Sequence, residues 1–174
     1  MGISDGVDTR LGSLTSDPDR FAQWKTIDGR PVTAATSSLE VLIRGVFDKQ
    51  RLLELIRHFI VFEVEPARIT KKIAQYHEFH ATARAIDTTI RASRPGGDRR
   101  CGVIWHTQRS GKSLTMLCYA GKLIAAPEMA NPTLVLLTDR TTWTTSSLAR
   151  SPGASRSCGK IRCRPRAAST CASC

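Results

Sequence analysis

Cys101-Gly102-Val103-Ile104-Trp105-His106-Thr107-Gln108-Arg109-Ser110-Gly111-Lys112-Ser113-Leu114 is the stretch on which the fold turns. Cys101 to Trp105 is a short apolar run of the kind that makes a buried strand. His106 to Gly111 is polar and glycine-ended, a loop. From Lys112 to about Ala125 the apolar residues Leu114, Leu117, Cys118 and Leu123 recur at helical spacing, until Pro127 and Asn131-Pro132 interrupt. Thr133 to Thr138 is a second continuous apolar run. Strand, loop, helix, strand is a βαβ unit, and unbroken strand hydrophobicity points to a parallel sheet covered on both faces. The expected class is α/β.

A strand that runs into a loop ending Gly111-Lys112-Ser113, followed by a helix, has the outline of a phosphate-binding loop. There, backbone N–H groups cradle phosphates, the lysine reaches the β- and γ-phosphates, and the hydroxyl binds Mg²⁺. The helix N-terminus adds partial positive charge. The full pattern G-x-x-x-x-G-K-[ST] needs glycine where His106 stands, and the shorter G-x-G-K-[ST] needs glycine where Arg109 stands. The bland alternative is an ordinary βα turn whose lysine is satisfied locally.

Working outward, Arg94 to Arg100 is a loop, and Thr70 to about Ala92 reads as one long helix carrying Ile73, Tyr76, Phe79 (or His80), Ala83, Ile86 and Ile90. Ile60 to Val64, closed by Pro66, is either a strand or the apolar end of a helix. Leu39, Leu42, Ile43 and Val46 form one apolar helix face, with Ser38 as N-cap. Leu52 to Phe59 is a second helix, and Asp48 to Gln50 between them fits a turn or continuous helix equally. Residues 1–20 read as a polar lead-in with a turn at Asp17-Pro18-Asp19, and Asp28-Gly29 marks another turn.

The chain has 174 residues and a net charge of +11. The basic balance suggests a polyanionic partner, usually nucleic acid. It is uneven: Thr144 to Cys174 holds five Arg, one Lys and no acid. No run of about 18 apolar residues occurs, so no membrane span is expected. The N-terminus has no apolar h-region, which makes a cytoplasmic address the default and a disulfide framework unexpected. Cys158, Cys163, Cys171 and Cys174 lack the scaffold that a zinc site needs. His58, His77 and His80 read as helix-face histidines, and Arg91, Arg94, Arg99 and Arg100 as a solvated loop rather than a DNA contact.

Trp105-His106-Thr107-Gln108 followed by Ser110-Gly111-Lys112-Ser113-Leu114-Thr115-Met116 resembles the motor-domain phosphate loop of the type I restriction endonuclease R subunit, which belongs to the superfamily 2 helicases and translocases. Trp24 to Gly29, Leu39 to Lys49 and Leu52 to Arg57 resemble family segments upstream of the motor. Lys72 to His77 resembles the pre-motor helix that lies near adenine. Asn131 to Arg140 resembles motif Ia, whose strand end faces DNA. The resemblance covers about residues 10–142.

It implies an α/β fold. A helical segment (1–66) between nuclease and motor precedes the start of a RecA-like lobe (67–143) and a disordered basic tail (144–174). It implies ATP and Mg²⁺ as cofactors, held by Gln108, Arg109, Ser110, Gly111, Lys112 and Ser113, with Gln75 on the adenine side. It implies DNA faced by Asp139 and Arg140, and the modification and specificity subunits as partners. The family activity is ATP-driven translocation coupled to endonuclease cleavage.

Two departures qualify this. The family has glycine where Arg109 stands, and a long cationic side chain there either obstructs the phosphates or binds them itself; impairment is the expectation. Neither the nuclease PD…(D/E)xK set nor the acidic motif II occurs. Acid residues and resemblance are lost together near residue 141, which reads as a frameshift near codons 141–144. The chain is thus expected to be a truncated fragment, inactive alone; the alternative is a residual nucleotide- or DNA-binding module without catalysis.

Overall fold

A computed structural model describes residues 1–33, 35–65, 68–108, 110–138 and 162–165. The chain opens with three short antiparallel strands, β1 (Gly2–Ser4), β2 (Thr9–Leu11) and β3 (Ala22–Gln23), in that spatial order. Leu11 lies opposite both Gly2 and Ala22. The expected polar lead-in is therefore a small sheet. Its polarity belongs to the connecting turns, where Asp5 accepts the N–H groups of Val7 and Asp8 at 2.9 and 2.7 Å. Such Asx turns let a polar sequence close a hairpin.

Helix α1 spans Ser38–Val46 and α2 spans Lys49–His58. The N-cap of α1 is Ser37, one residue before the expected Ser38; its hydroxyl accepts Glu40 N–H at 3.2 Å. Asp48 caps α2 by accepting Arg51 N–H at 3.1 Å, which makes the junction a turn. Each such cap satisfies an otherwise orphaned donor. The buried face of α1 is Val41, Leu42, Gly45 and Val46, while Leu39 and Ile43 are exposed. That corrects the expected face by about one position. Gly45 sets the rotation: a Cβ there would lie 2.7 Å from the Trp24 indole.

Next comes an antiparallel hairpin of β4 (Ile60–Glu65) and β5 (Arg68–Ile73), in register from Ile60↔Ile73 to Glu65↔Arg68. Two readings are settled here. Ile60 to Val64 is a strand, and Thr70 to Ile73, expected to begin a helix, is a strand as well. Helix α3 starts only at Tyr76 and runs to Ser93, packing along α4 (Lys112–Ala125). Thr89 and Tyr119 share a 2.7 Å hydrogen bond between these two helices.

The core gathers all these elements. Trp24, Val46, Leu55, Phe59, Ala74, Phe79 and Cys118 are buried in one cluster with Leu11, Val41 and Leu42. The Phe79 ring lies 4.6 Å from Phe59 and 5.8 Å from Trp24, centroid to centroid. Burying each large apolar side chain contributes about 1.5–3 kcal/mol, and each aromatic pair about 0.5–1.5 kcal/mol more.

The expected strand Cys101–Trp105 is not one. It is irregular and exposed, with Val103 and Trp105 each 90% accessible. A strand of a parallel sheet is held by its neighbours' hydrogen bonds, and no described strand lies beside this run. β6 (Val135–Thr138), within the expected Thr133 to Thr138, pairs in parallel with β7 (Arg162–Pro165) instead. β7 also corrects the expectation of a tail without structure at those four positions. The remaining expectations for Thr144 to Cys174 lie outside the described residues, as does that for Pro66. Among the described residues no helix is long and apolar enough to cross a membrane.

Candidate functional site

Helix α4 begins where sequence placed it, and what starts it is Gly111. Its φ of 77° is left-handed, a conformation that side-chain-bearing residues adopt at a cost. No side chain caps the helix there, so its first N–H groups point outward as donors without intrahelical acceptors. Thr115 N–H closes the first turn on Gly111 O at 3.0 Å. Lys112 and Ser113 are exposed at this end. The Lys112 ammonium donates to Thr107 O at 2.8 Å, and the Ser110 hydroxyl donates to the same carbonyl at 2.7 Å. The lysine thus folds back over its own loop, and among the described residues it has no ion-pair partner.

Gln75 is the N-cap residue of α3. It lines a cavity of about 640 Å³ together with Thr107 and Ser110 of the loop. Of the phosphate-loop candidates Ser110 shares this cavity with Gln75, whereas Gln108, Gly111, Lys112 and Ser113 are not part of its lining. Trp105, Tyr76 and Phe21 add aromatic surface to it, and Arg10 and Lys25 add positive charge. Gln108 is exposed and is not part of its lining. Arg109, Asp139 and Arg140 lie outside the described residues.

Several neighbours were not singled out as site residues from sequence. His77, read there as a helix-face histidine, has Nε2 3.1 Å from Ser110 O and its ring 5.6 Å from that of His106. Among the described residues His106 Nδ1 is buried without a hydrogen-bond partner, so the loop carries a polar atom still to be satisfied there. His80, in contrast, is packed into the core beside Trp24, and burial first, then Arg51 and Arg84, lower its pKa. Glu78 is 3% exposed and sits beneath Gly111: a Cβ at position 111 would overlap Glu78 Oε1. Its Oε2 accepts Gln75 N–H at 2.7 Å. Burial pushes the Glu78 carboxyl up to about 7, opposed by the Gln75 N–H and by Arg20. The signal in sequence was the spacing Gln75-x-x-Glu78, the second half of a capping box.

The residues fit a nucleotide polyphosphate. A left-handed glycine, uncapped helix N–H groups, an exposed lysine and an exposed serine hydroxyl supply the donors and the oxygen ligand that phosphate and Mg²⁺ require. Among the described residues no cluster of three or more His, Cys, Asp or Glu could hold a metal by itself. Any Mg²⁺ here would accordingly rely on the nucleotide's own oxygens beside Ser113.

The SWI2/SNF2 ATPase family pattern matches residues 75–149, starting at Gln75 and running through the loop and α4. The type I restriction enzyme HindI endonuclease subunit of Haemophilus influenzae is 49% identical over 142 residues, covering 79% of this chain and 14% of that protein. The putative type I restriction enzyme MjaIXP endonuclease subunit of Methanocaldococcus jannaschii is 37% identical over 79% of this chain and 15% of that protein. A second protein of that organism, the putative MjaVIIP endonuclease subunit, is 34% identical over 51% of the chain and 9% of its own length. The chain spans about a seventh of the length of the first two relatives. By sequence, over 79% of its length, the chain is similar to the endonuclease subunits of type I restriction enzymes.

Proposed function

We propose that this chain carries the nucleotide-gripping part of a type I restriction translocase: the pre-motor segment and the phosphate loop of a RecA-like lobe. The observation that carries the reading is the shared cavity of Gln75, Thr107 and Ser110 at the start of α4. In this assignment Gly111 and the first N–H groups of α4 hold phosphate oxygens. Lys112 exchanges the Thr107 carbonyl for a phosphate oxygen, a stronger charge-assisted bond. Ser113 offers its hydroxyl to Mg²⁺, and Gln75 faces the adenine edge. Gln108 and Arg109 flank the phosphates, and the Arg109 guanidinium in place of glycine weakens the grip. ATP supplies the phosphoryl-transfer energy when bound.

Turnover needs a metal-holding carboxylate, a positioned water and charge stabilisation together. The sequence carries a phosphate loop without the acidic motif II, so the chain binds nucleotide without hydrolysing it by itself. In the whole subunit, Asp139 and Arg140 face DNA, and the modification and specificity subunits assemble around the motor. The net charge of +11 favours such polyanionic contact.

The test is equilibrium binding of Mg²⁺ and a fluorescent ATP analogue to the full chain and to Lys112→Ala. Saturable binding that the substitution abolishes is the expected result. Equal binding by both forms, or none by either, contradicts the reading.

A further inference from the structure

We infer that Glu78 is a positioning residue of the nucleotide site, joining Gln75 to Gly111 and taking up a proton from solvent when a polyphosphate binds. The inference rests on the nucleotide reading above and deepens it. Its basis is the placement of one buried carboxyl between the two halves of that site.

One oxygen, Oε2, accepts the Gln75 N–H at 2.7 Å and so fixes the residue on the adenine side. The other, Oε1, occupies the space in which a side chain at position 111 would begin. Gly111 therefore lacks a side chain for two reasons, its left-handed backbone and the carboxyl behind it. Any shift of Glu78 is felt at both Gln75 and Gly111.

The charge balance around this carboxyl is poor. From the turn at Pro18–Arg20 it faces Arg20, the cation that favours its ionised form. From α4 it faces Cys118, a thiol pushed up to about 12, first by burial and then by the Glu78 charge itself. On its own helix the Gln75 N–H is its donor. No ion pair joins Glu78 to a lysine or arginine among the described residues, and burial holds its carboxyl at about 7. A polyphosphate seated on Gly111 and Lys112 brings several negative charges against this group, and like charge disfavours the ionised form. The neutral carboxyl keeps the Gln75 contact through its carbonyl oxygen and has an O–H to donate. Binding and protonation are then linked: nucleotide affinity falls as pH rises above 7, by about threefold to tenfold for each unit for a one-proton link.

The experiment is titration calorimetry of a non-hydrolysable ATP analogue with Mg²⁺ into the full chain at pH 7.5. It is run in Tris and in HEPES, whose different ionisation heats reveal proton exchange. Wild type is compared with Glu78→Gln, which keeps the shape and the acceptor for Gln75. The expected result is several tenths of a proton more taken up by wild type, with the affinity of the variant flat between pH 7 and 8. Should Glu78→Gln not fold, Arg20→Met serves: removing the facing cation moves the uptake maximum to higher pH. Equal uptake by wild type and Glu78→Gln, or an unmoved maximum in Arg20→Met, overturns the inference while leaving the nucleotide reading intact. Absence of binding by wild type overturns both.

Discussion

The aromatic body around Trp24, Phe59 and Phe79 and the run from Cys101 to Trp105 are both apolar in sequence, and the structure treats them in opposite ways. Phe59 is fully buried and Trp24 is 3% exposed, whereas Val103 and Trp105 are each 90% exposed. The difference lies in where each finds its neighbours. The body is assembled from strands and helices that follow one another closely, so the inner faces of α1, α2 and α3 meet one another within the described chain, although Leu39, Ile43, Leu53 and Ile56 stay exposed on the outer faces. Cys101 to Trp105 has the composition of a strand covered on both sides, and such a strand is stable only between parallel neighbours. Apolar composition states what a segment can bury, not whether its cover is at hand.

The sharpest way to break this comparison is to truncate one residue in each region. Phe59→Ala removes a ring at the centre of the cluster and is expected to cost about 3–5 kcal/mol of unfolding free energy. Trp105→Ala, at a solvent-facing position, is expected to stay within about 0.5 kcal/mol. Urea unfolding of both variants measures the two values. Comparable losses would mean that Trp105 is packed in solution and that the two regions are alike.

A second effect separates the body from the site through pH. The Glu78 carboxyl is raised from 4.5 to about 7 in the folded chain. The native state therefore holds a proton that the unfolded chain has already released, and stability falls as pH rises from 4.5 to 7, then levels off. The size is roughly 3 kcal/mol at one pKa unit per 1.36 kcal/mol. His58 and His80, lowered mainly by burial, act in the opposite sense up to their ordinary 6.5. Subtracting the Glu78→Gln profile from wild type isolates the carboxyl. A difference that is flat across this window would show Glu78 to be solvated.

The smallest effect sharpens the description of the body alone. Asp48→Ala removes the N-cap of α2 and is expected to cost about 1 kcal/mol, read as a lowered midpoint in the same urea titration. Asp48→Asn should restore most of it. Loss of the whole fold in Asp48→Ala would mean that the α1–α2 turn depends on more than its cap.

What sequence disclosed follows the same division. Helix α4 was legible from Lys112 to Ala125 because its period, its glycine start and its proline stop agree. Helix α3 was legible from Tyr76 onward, but β5 was absorbed into it: Ile69 and Ile73 are four apart, a helical spacing as well as an even, strand-like one. Only pairing with Ile60 to Glu65 decides between them. The small sheet at residues 2–23 was hidden because two- and three-residue strands leave no period to read. At the site, Gly111 and Lys112 announced themselves, and Gln75 came from resemblance. Glu78 did not, since a glutamate in the first turn of a helix ordinarily serves only its own N-terminus. Its second contact, behind Gly111, arises where α3 lies along α4.

The central claim is that nucleotide phosphates seat on the start of α4, next to Gln75. Amide hydrogen exchange of the full chain, with and without a non-hydrolysable ATP analogue and Mg²⁺, tests it most directly. The account predicts slowed exchange at residues 110–114 and 75–78, with no change at 135–138. Protection confined to other segments, or none at saturating analogue, would contradict it.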